Sequence, residues 1–490
     1  MLFNSIDFLI FFTLVLIGIY LIKIKKFQHI FLLVASYFFF YYSNNYLILL
    51  LIYSTIIDFY LGKAIYNTTS IQKKKILLIA ILAGNLGLLG FYKYSDFAIL
   101  QFNILGNSID LAHEIPLLNI ALPVGISFYT FQTISYTVDI YRKKLEPSDS
   151  FWEFALFVSF FPQLVAGPIV RASEFLPQLR EKIENIHFKN NLKQIVIGNS
   201  NLKLGITMMA LGFFKKMFFA DNIAPLVNQI FIQPVGSDSF TIILGAIAFG
   251  IQIYGDFSGY SDIAIGAALI LGFKLPINFN KPYFAISPSD FWRRWHISLS
   301  SWLRDYLYIP LGGNKKSKNR TYLNLMTVMF LGGLWHGASW NFVIWGVLHG
   351  IYLAIHKLVS DRFPGVANNS FFKSRIGKIT SIIVMQYFVF LAWIPFRVSD
   401  VDHMLYSVQK YIFFDFQTNT ILNNIMENKF PVVLILLFII LHFIAYRKNN
   451  IILKISNFGL IKWISVLCTI MMLIFFFYEG SPENFIYFQF

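Results

Sequence analysis

Cysteine and charge are both scarce in this sequence. Cys468, in "SVLCTIMMLIFFF", is the only cysteine among 490 residues, which excludes internal disulfides and metal sites built from several cysteines. We expect Cys468 to behave as a small buried hydrophobic residue, and we predict no metal site. Charged residues make up 13% of the chain, against roughly 25% in soluble domains, so an ordinary soluble globular protein is also excluded.

Long apolar runs follow one another from end to end, and hydrophobic residues make up 57% of the chain. Since a helix needs about 20 apolar residues to cross a bilayer, the runs predict an all-α polytopic membrane protein. We predict a single domain over residues 1–490 with roughly eleven to fourteen membrane helices. The runs at 239–273 and 321–357 exceed one crossing and contain glycines, so each predicts either two helices or a re-entrant pair.

Acidic residues are outnumbered by basic ones, and the formal net charge is +15. The basic residues stand in short clusters between apolar runs, which indicates membrane orientation and contact with anionic lipid headgroups; no nucleic-acid partner is predicted. Three of these clusters are "KIKK" at 23–26, "QKKK" at 72–75 and "YRKK" at 141–144. All three can be cytoplasmic if the apolar runs between them form hairpins, and this arrangement places the N-terminus outside the cytoplasm. The first apolar run predicts a retained membrane helix, because no basic residue precedes it and no small-residue cleavage site follows.

The stretch "DFWRRWHISLSSWLRDYLYIPLGGN", residues 290–314, concentrates charge in an apolar chain. Ser287 as N-cap, Pro288 at the first position and Asp290 three residues after the cap predict a helix start. The spacing predicts one amphipathic helix with a polar stripe of Arg293, His296, Ser300 and Arg304. Two interpretations stay open: an anchor in the membrane interface, or a stripe facing a water-filled cavity, where the arginines bind phosphate or carboxylate groups.

A histidine lies within the apolar run "FLGGLWHGASWNFVIWGVLHG", residues 330–350. His336 is expected at membrane depth or just below the interface, where ionisable residues tend to be functional. On a continuous helix the two preceding glycines would share its face, with Trp340 one turn further on, leaving room for a substrate or a neighbouring helix. The buried imidazole would be neutral and able to accept a proton from a hydroxyl. His349 and His442 are expected to be packed in the core.

The stretch "QIYGDFSGYSDIAIGAAL" combines a GxxxG spacing with two carboxylates, Asp256 and Asp262. Three interpretations stay open for the carboxylates. They could form a proton or cation site, as in transporters with broken helices, orient the catalytic histidine, or pair with arginines.

The two motif regions, "FWRRWHISLSSWLRDYLYIPLGGN" and "GGLWHGASWNFVIWGVLHG", closely resemble the signature regions of membrane-bound O-acyltransferases. The branch of the family that this sequence resembles includes proteins that acetylate alginate or peptidoglycan and proteins that transfer D-alanine to teichoic acids. "LPVGISFYTFQTISYTVDIYRKK", "YGDFSGYSDIAIG" and "LPINFNKPYFA" are also similar to this branch, so the resemblance covers most of the chain. It implies a bundle of transmembrane, re-entrant and amphipathic helices around a central tunnel, through which an acyl group passes from a cytoplasmic donor to an acceptor beyond the membrane.

The same resemblance implies roles for individual residues. His336 matches the family's catalytic histidine in "WHG" and would act as general base. Trp335 and Trp340 are our own candidates for supporting residues beside it. His296 matches the earlier family histidine, which is expected to line the same chamber. Our further candidates are Arg293 and Arg304 for the donor or the tunnel lining, with Asp256 and Asp262 as supporting residues.

The functional prediction is O-acetylation of an exported polysaccharide, of the peptidoglycan or alginate type, at the bacterial cytoplasmic membrane. Acetyl-CoA is the predicted donor, no cofactor is bound, and a periplasmic acetyltransferase is the predicted protein partner beside the polysaccharide acceptor. The alternatives are D-alanyl transfer from a carrier protein to teichoic acid, and a non-enzymatic transporter with Asp256 and Asp262 as ion sites. The chain's length and "PVGISFYTFQTISYTVDIYRKK" favour acetyl transfer.

Overall fold

The computed structural model describes the whole chain except residues 23, 111–113, 166, 185–198, 366–368, 417, 449, 479–484 and 487–490. Over these described residues the protein is built from helices and contains no strand, which confirms the all-α prediction. The chain forms two compact units, Met1–Ile206 with Ile263–Pro276, and Thr207–Asp262 with Ile277–Phe490. A single domain over 1–490 stays a prediction.

The first unit is organised around one deeply buried helix. Its helices are α1 (Ile6–Leu21), α2 (Lys25–Asn44), α3 (Ile48–Asn67), α4 (Ile71–Ser108), α5 (Ile126–Tyr141), α6 (Phe151–Ser159), α7 (Phe161–Leu164) and α8 (Ala172–Glu184). Ser70 and Ser150 start α4 and α6 by accepting hydrogen bonds from backbone N–H groups of the first turn. Helix α5 is buried on nearly every side and contacts α3, α4 and α6.

A buried carboxylate joins three helices of this unit. Asp58 of α3 is fully buried and accepts hydrogen bonds from Thr137 Oγ1 of α5 at 2.6 Å and from Asn85 Nδ2 of α4 at 2.7 Å. Buried polar groups need such partners because they have lost their water. The contact therefore fixes α3 and α4 against the central helix.

The second unit holds both histidine motifs. The remaining helices are α9 (Asn199–Phe213), α10 (Asp221–Ile232), α11 (Ser239–Ile270), α12 (Pro288–Trp292), α13 (Ile297–Leu303), α14 (Lys318–His336), α15 (Trp340–Arg362), α16 (Ser370–Lys373), α17 (Arg375–Arg397), α18 (Val401–Ile412), α19 (Thr418–Glu427), α20 (Lys429–Arg447), α21 (Ile451–Ser456) and α22 (Leu460–Phe477). Short π-helical segments, Phe214–Ala220 and Arg304–Tyr308, continue α9 and α13. Helices α9 and α11 contribute residues to both units.

Seven helical segments of the described chain are long and apolar enough to cross a membrane, fewer than the predicted number of crossings. They are Phe27–Asn67, Ile71–Ser108, Ser239–Ile270, Trp340–Arg362, Arg375–Arg397, Lys429–Arg447 and Leu460–Phe477. Many of their large apolar side chains are exposed, as in Ile461 at 83% and Phe475 at 80%, which suits contact with lipid. The protein is thus a multi-pass membrane protein. Cys468 is exposed on α22, so its predicted burial is wrong, because little of that helix contacts the protein.

The two long glycine-containing runs differ in outcome. The run at 321–357 forms two helices, α14 and α15, as one alternative predicted. The run at 239–273 forms the single helix α11, so both alternatives predicted for it are wrong. Its glycines serve close packing: a Cβ on Gly259 would lie 2.7 Å from the carbonyl oxygen of Gly212, and one on Gly255 3.0 Å from that of Lys215. Tertiary contacts thus stabilise a helix through residues that weaken helices in isolation.

Two of the predicted orientation clusters lie close together in the first unit. Lys74 of the cluster at 72–75 and Lys143 and Lys144 of the cluster at 141–144 line the same cavity. This proximity agrees with the prediction that the apolar runs between the two clusters form a hairpin, which puts both clusters on the same side of the membrane. Residue 23 of the first cluster lies outside the described residues.

Candidate active site

His336 is the last residue of α14, where the backbone leaves the helix. Gly337 has an extended backbone, and α15 returns antiparallel against α14. Gly333 allows this close approach, since a Cβ there would lie 2.3 Å from the carbonyl oxygen of Phe342. Of the two uses predicted for the glycines, Gly333 therefore makes room for a neighbouring helix. Trp340 does not follow on a continuous helix; it starts α15 and is exposed.

The imidazole of His336 lies in an enclosure of aromatic rings. The ring centroids of Trp335, Trp345 and Phe396 lie 5.0, 4.9 and 5.3 Å from that of the imidazole. His336 is only 5% exposed. Aromatic walls exclude water, so a proton acceptor placed here acts in a medium of low dielectric constant.

His296 occupies a break between two short helices. Its backbone is left-handed, with φ of 42°, between the end of α12 and the start of α13. Ser287 caps α12 as predicted, by accepting a hydrogen bond from the N–H of Asp290 at 3.2 Å. The predicted continuous amphipathic helix is wrong, because the chain turns at His296.

Asn278 holds His296 in this position. Its Oδ1 accepts hydrogen bonds from His296 Nδ1 at 3.2 Å and from Ser298 Oγ at 2.9 Å, and its Nδ2 donates to Ser261 Oγ at 3.2 Å. The backbone N–H of Ile297 also donates to the Asn278 carbonyl oxygen at 2.9 Å. Nδ1 of His296 therefore carries the ring hydrogen in its neutral form. Asn278 lies within "LPINFNKPYFA", but its role was not predicted, because an isolated Asn carries no motif signal.

Trp335 connects the two histidines. Its ring centroid lies 6.1 Å from that of His296 and 5.0 Å from that of His336. Phe257 of α11 covers His296 from another direction, with 4.6 Å between the ring centroids. Both imidazoles thus lie beside one indole, and the chamber expected around them stays a prediction.

The arginines predicted to share a stripe with His296 do not. Arg293 is exposed, whereas His296 is fully buried. The side chain of Arg304 is 62% exposed, and its Nε lies 2.6 Å from Asp305 Oδ1. The predicted stripe is wrong because the break at His296 turns its ring inward, away from the surface where the arginines lie.

Asp256 and Asp262 pair with lysines. Lys216 lies 2.8 Å from Asp256 and 2.7 Å from Asp221, and all three residues are buried. Lys215 lies 2.7 Å from Asp262 and donates to Ser258 Oγ at 3.0 Å. Of the three interpretations, ion pairing matches these contacts, although the partners are lysines and not arginines.

The burial of His296 predicts a pH dependence of stability. Burial lowers the pKa of His296 to about 3, whereas a histidine of the unfolded chain titrates near pH 6.5. Between these values the unfolded state binds one more proton, so the free energy of unfolding falls as pH decreases, by at most about 1.4 kcal/mol per pH unit. The difference in Tm between wild type and His296→Gln is expected to shrink from about pH 7.5 to about pH 5.

The measurement is a thermal unfolding series of the purified protein in detergent. His403→Gln is the control, because His403 lies partly exposed on α18 and its removal leaves the buried imidazole in place. A constant difference between wild type and His296→Gln across this pH range would contradict the prediction.

Comparison with known proteins shows the family. The sequence profile of the membrane-bound O-acyltransferase family matches residues 142–399, which include both histidines. A peptidoglycan O-acetyltransferase of Helicobacter pylori is 38% identical over 376 residues, 72% of this chain and 67% of that protein. A probable alginate O-acetylase AlgI of Pseudomonas aeruginosa is 36% identical over 409 residues, 82% and 73% of the two chains. A teichoic acid D-alanyltransferase of Streptococcus thermophilus is 30% identical over 247 residues, 48% and 56%. The chain therefore belongs to the membrane-bound O-acyltransferase family and is an O-acyltransferase.

Proposed function

We propose that this protein is a bacterial cytoplasmic-membrane O-acetyltransferase that passes acetyl groups from cytoplasmic acetyl-CoA towards an exported cell-envelope polysaccharide. Similarity supports acetyl transfer, because a peptidoglycan O-acetyltransferase and a probable alginate O-acetylase are 38% and 36% identical to this protein over most of the chain. The observation that carries the chemical part is the position of His336, buried at a helix end among three aromatic rings.

The hairpin of α14 and α15 supports a location of His336 towards the outer face. Basic residues stand at its other end, Lys318 and Arg320 at the start of α14 and Lys357 and Arg362 near the end of α15. The positive-inside rule favours the cytoplasm for that end. The 23 residues of α15, which is one of the seven segments apolar enough to cross a membrane, rise about 34 Å, enough to span the hydrocarbon core. His336 would then lie where a hydroxyl from outside can reach it.

In the proposed step, His336 accepts the proton of the acceptor hydroxyl as its oxygen attacks the thioester carbonyl. The new C–O bond forms, the C–S bond breaks, and the imidazolium returns the proton to the departing thiolate. The products are an acetyl ester and a free thiol. The unsatisfied carbonyl groups at the end of α14 carry partial negative charge, which favours the positive charge that the imidazole acquires during transfer.

The two arginines differ in their suitability for the acyl donor. Arg293 is exposed and remains our candidate for donor phosphates, which an arginine binds through its planar pair of N–H groups. Arg304 already pairs with Asp305 and is the weaker candidate. Trp335 would position both histidines, and a periplasmic acetyltransferase would complete transfer to the polymer.

Of the alternatives, D-alanyl transfer retains support from the similarity to the D-alanyltransferase over about half of the chain. The transporter alternative has lost its basis, since the chain belongs to an enzyme family and both carboxylates are occupied by lysines.

The test is expression of the full chain, with its own genomic neighbours, in a bacterium lacking envelope O-acetylation. Alkali-released acetate and D-alanine are then measured on the isolated envelope polysaccharides. Acetate is expected to rise, and D-alanine to stay at the host level. If D-alanine alone rose, acetyl transfer would be rejected and D-alanyl transfer would be the supported activity. In inside-out vesicles, ¹⁴C-acetyl-CoA should label the polymer only when the protein is present.

A further inference from the structure

A cavity of about 760 Å³ lies in the first unit, where three separate parts of the chain meet. Its walls come from the end of α3 and the turn after it, residues 66–69, from Lys74 in the first turn of α4, and from residues 143–146 after α5. Its volume falls within the range of roughly 300–1,000 Å³ seen for small-molecule sites. We call it the lysine pocket.

The lysine pocket has a positive lining. Lys74, Lys143 and Lys144 face Glu146 as the one acidic lining residue, which leaves a formal charge of +2. Within the described chain none of the three lysines forms an ion pair, whereas Glu146 accepts a hydrogen bond from Tyr66 at 3.5 Å. Thr68 and Thr69 add hydroxyl donors to the same wall. Ammonium and hydroxyl donors around a concave space suit a phosphate group.

Membrane orientation alone does not explain this arrangement. Orientation requires only that lysines lie in a cytoplasmic loop, in any conformation. Here Lys143 has a left-handed backbone, with φ of 59°. Its N–H donates to the Ile140 carbonyl at 2.9 Å, and the Lys144 N–H donates to the Asp139 carbonyl at 2.8 Å. This is the helix ending in which glycine is the favoured residue, because a side chain there is strained.

A lysine at the glycine position breaks a local rule, and such exceptions concentrate at functional sites. If residue 143 were glycine, Lys144 and the neighbouring basic residues would still orient the protein in the membrane. Lys143 lines the same cavity as Lys74, which belongs to helix α4.

We propose that the lysine pocket binds a phosphate ester at the predicted cytoplasmic face of the membrane. Two sources share this chemistry: the headgroup of an anionic phospholipid, and the adenosine phosphates of a CoA-type acyl donor. None of its lining residues belongs to the site around His336 and His296. Phosphate binding as such is independent of the proposed function, whereas the CoA-type source rests on it.

The test uses the full chain in phosphatidylcholine nanodiscs with two probes. Phosphatidylglycerol is added to the lipid and its retention is counted by native mass spectrometry, while adenosine 3′,5′-bisphosphate is titrated by calorimetry. The variant is Lys74→Gln/Lys143→Gln/Lys144→Gln. The matched control replaces three exposed lysines that do not line the pocket, Lys315→Gln/Lys373→Gln/Lys378→Gln.

The pocket variant is expected to lose at least tenfold in affinity for one or both probes, and the control to stay within twofold of wild type. Loss of phosphatidylglycerol alone identifies a lipid site, and loss of the bisphosphate alone identifies a donor site. Equal losses in the two triple variants, or no loss in the pocket variant, would overturn the proposal.

Lys143→Gly separates binding from folding. Glycine relieves the left-handed backbone, so the Tm is expected to stay equal or rise while affinity for the bound probe falls. Unchanged affinity in this variant would show that the strained lysine has no part in binding.

Discussion

Replacing His336 by glutamine is expected to lower acetyl transfer at least about a thousandfold while the protein still inserts and folds. Glutamine nearly fills the same volume among Trp335, Trp345 and Phe396, but it cannot take up a proton at neutral pH. The measurement is alkali-released acetate per amount of membrane-inserted protein, with the Tm in detergent as the check of folding.

His349→Gln is the matched control for this experiment. His349 is also buried, and its ring lies 4.8 Å from Trp345, against 4.9 Å for His336. Each of the two substitutions therefore removes an imidazole that contacts the Trp345 indole. If His349→Gln lowered acetate release as much as His336→Gln does, with the same Tm, the loss would be due to disturbed aromatic packing. General-base catalysis by His336 would then be rejected.

Replacing Asn278 by leucine is expected to lower acetyl transfer about a hundredfold, because displaced groups near a reaction centre cost about that much. Leucine has a similar size but removes the Oδ1 oxygen that accepts hydrogen bonds from His296 Nδ1 and Ser298 Oγ. The free energy of unfolding is expected to fall by about 2 kcal/mol for these buried groups. Acetate release and thermal unfolding measure the two effects.

Asn278→Asp distinguishes positioning of the histidine from a structural role. The carboxylate keeps an oxygen at the place where Oδ1 accepts its hydrogen bonds. Relative to Asn278→Leu, this variant is therefore expected to regain a larger share of the lost acetyl transfer than of the lost free energy of unfolding. Asn324→Leu is the control, since Asn324 is another buried amide and donates to the Gly313 carbonyl at 3.0 Å. Full activity of Asn278→Leu, or an equal loss in Asn324→Leu, would contradict the role given to Asn278.

Much of the architecture follows from local sequence. Apolar runs predicted the membrane helices because each residue in lipid must satisfy its backbone within its own helix. The start of α12 at Ser287 and Pro288 was predicted because capping involves neighbouring residues only. The family resemblance of the two motif regions implied that His336 and His296 lie near one another, and in the structure both rings lie beside Trp335.

The failures share one cause, which is contact between residues distant in the chain. Helical periodicity predicted that His296 would lie beside Arg293, but hydrogen bonds to Asn278, 18 residues away, hold it in a left-handed turn. Local spacing could not tell whether a glycine leaves space for a substrate or admits a helix; at Gly333 the neighbouring α15 decides.

The chemistry of the carboxylates shows the same division. Composition and spacing were enough to predict a membrane protein and to single out Asp256 and Asp262 as costly charges in an apolar run. The sequence did not show which cations neutralise them. The partners are Lys215 and Lys216, which lie in the segment after α9, about forty residues before the carboxylates, and contact them only because that segment packs against α11. Secondary structure forms from neighbours in sequence, whereas burial, charge pairing and ring geometry arise only when distant helices meet.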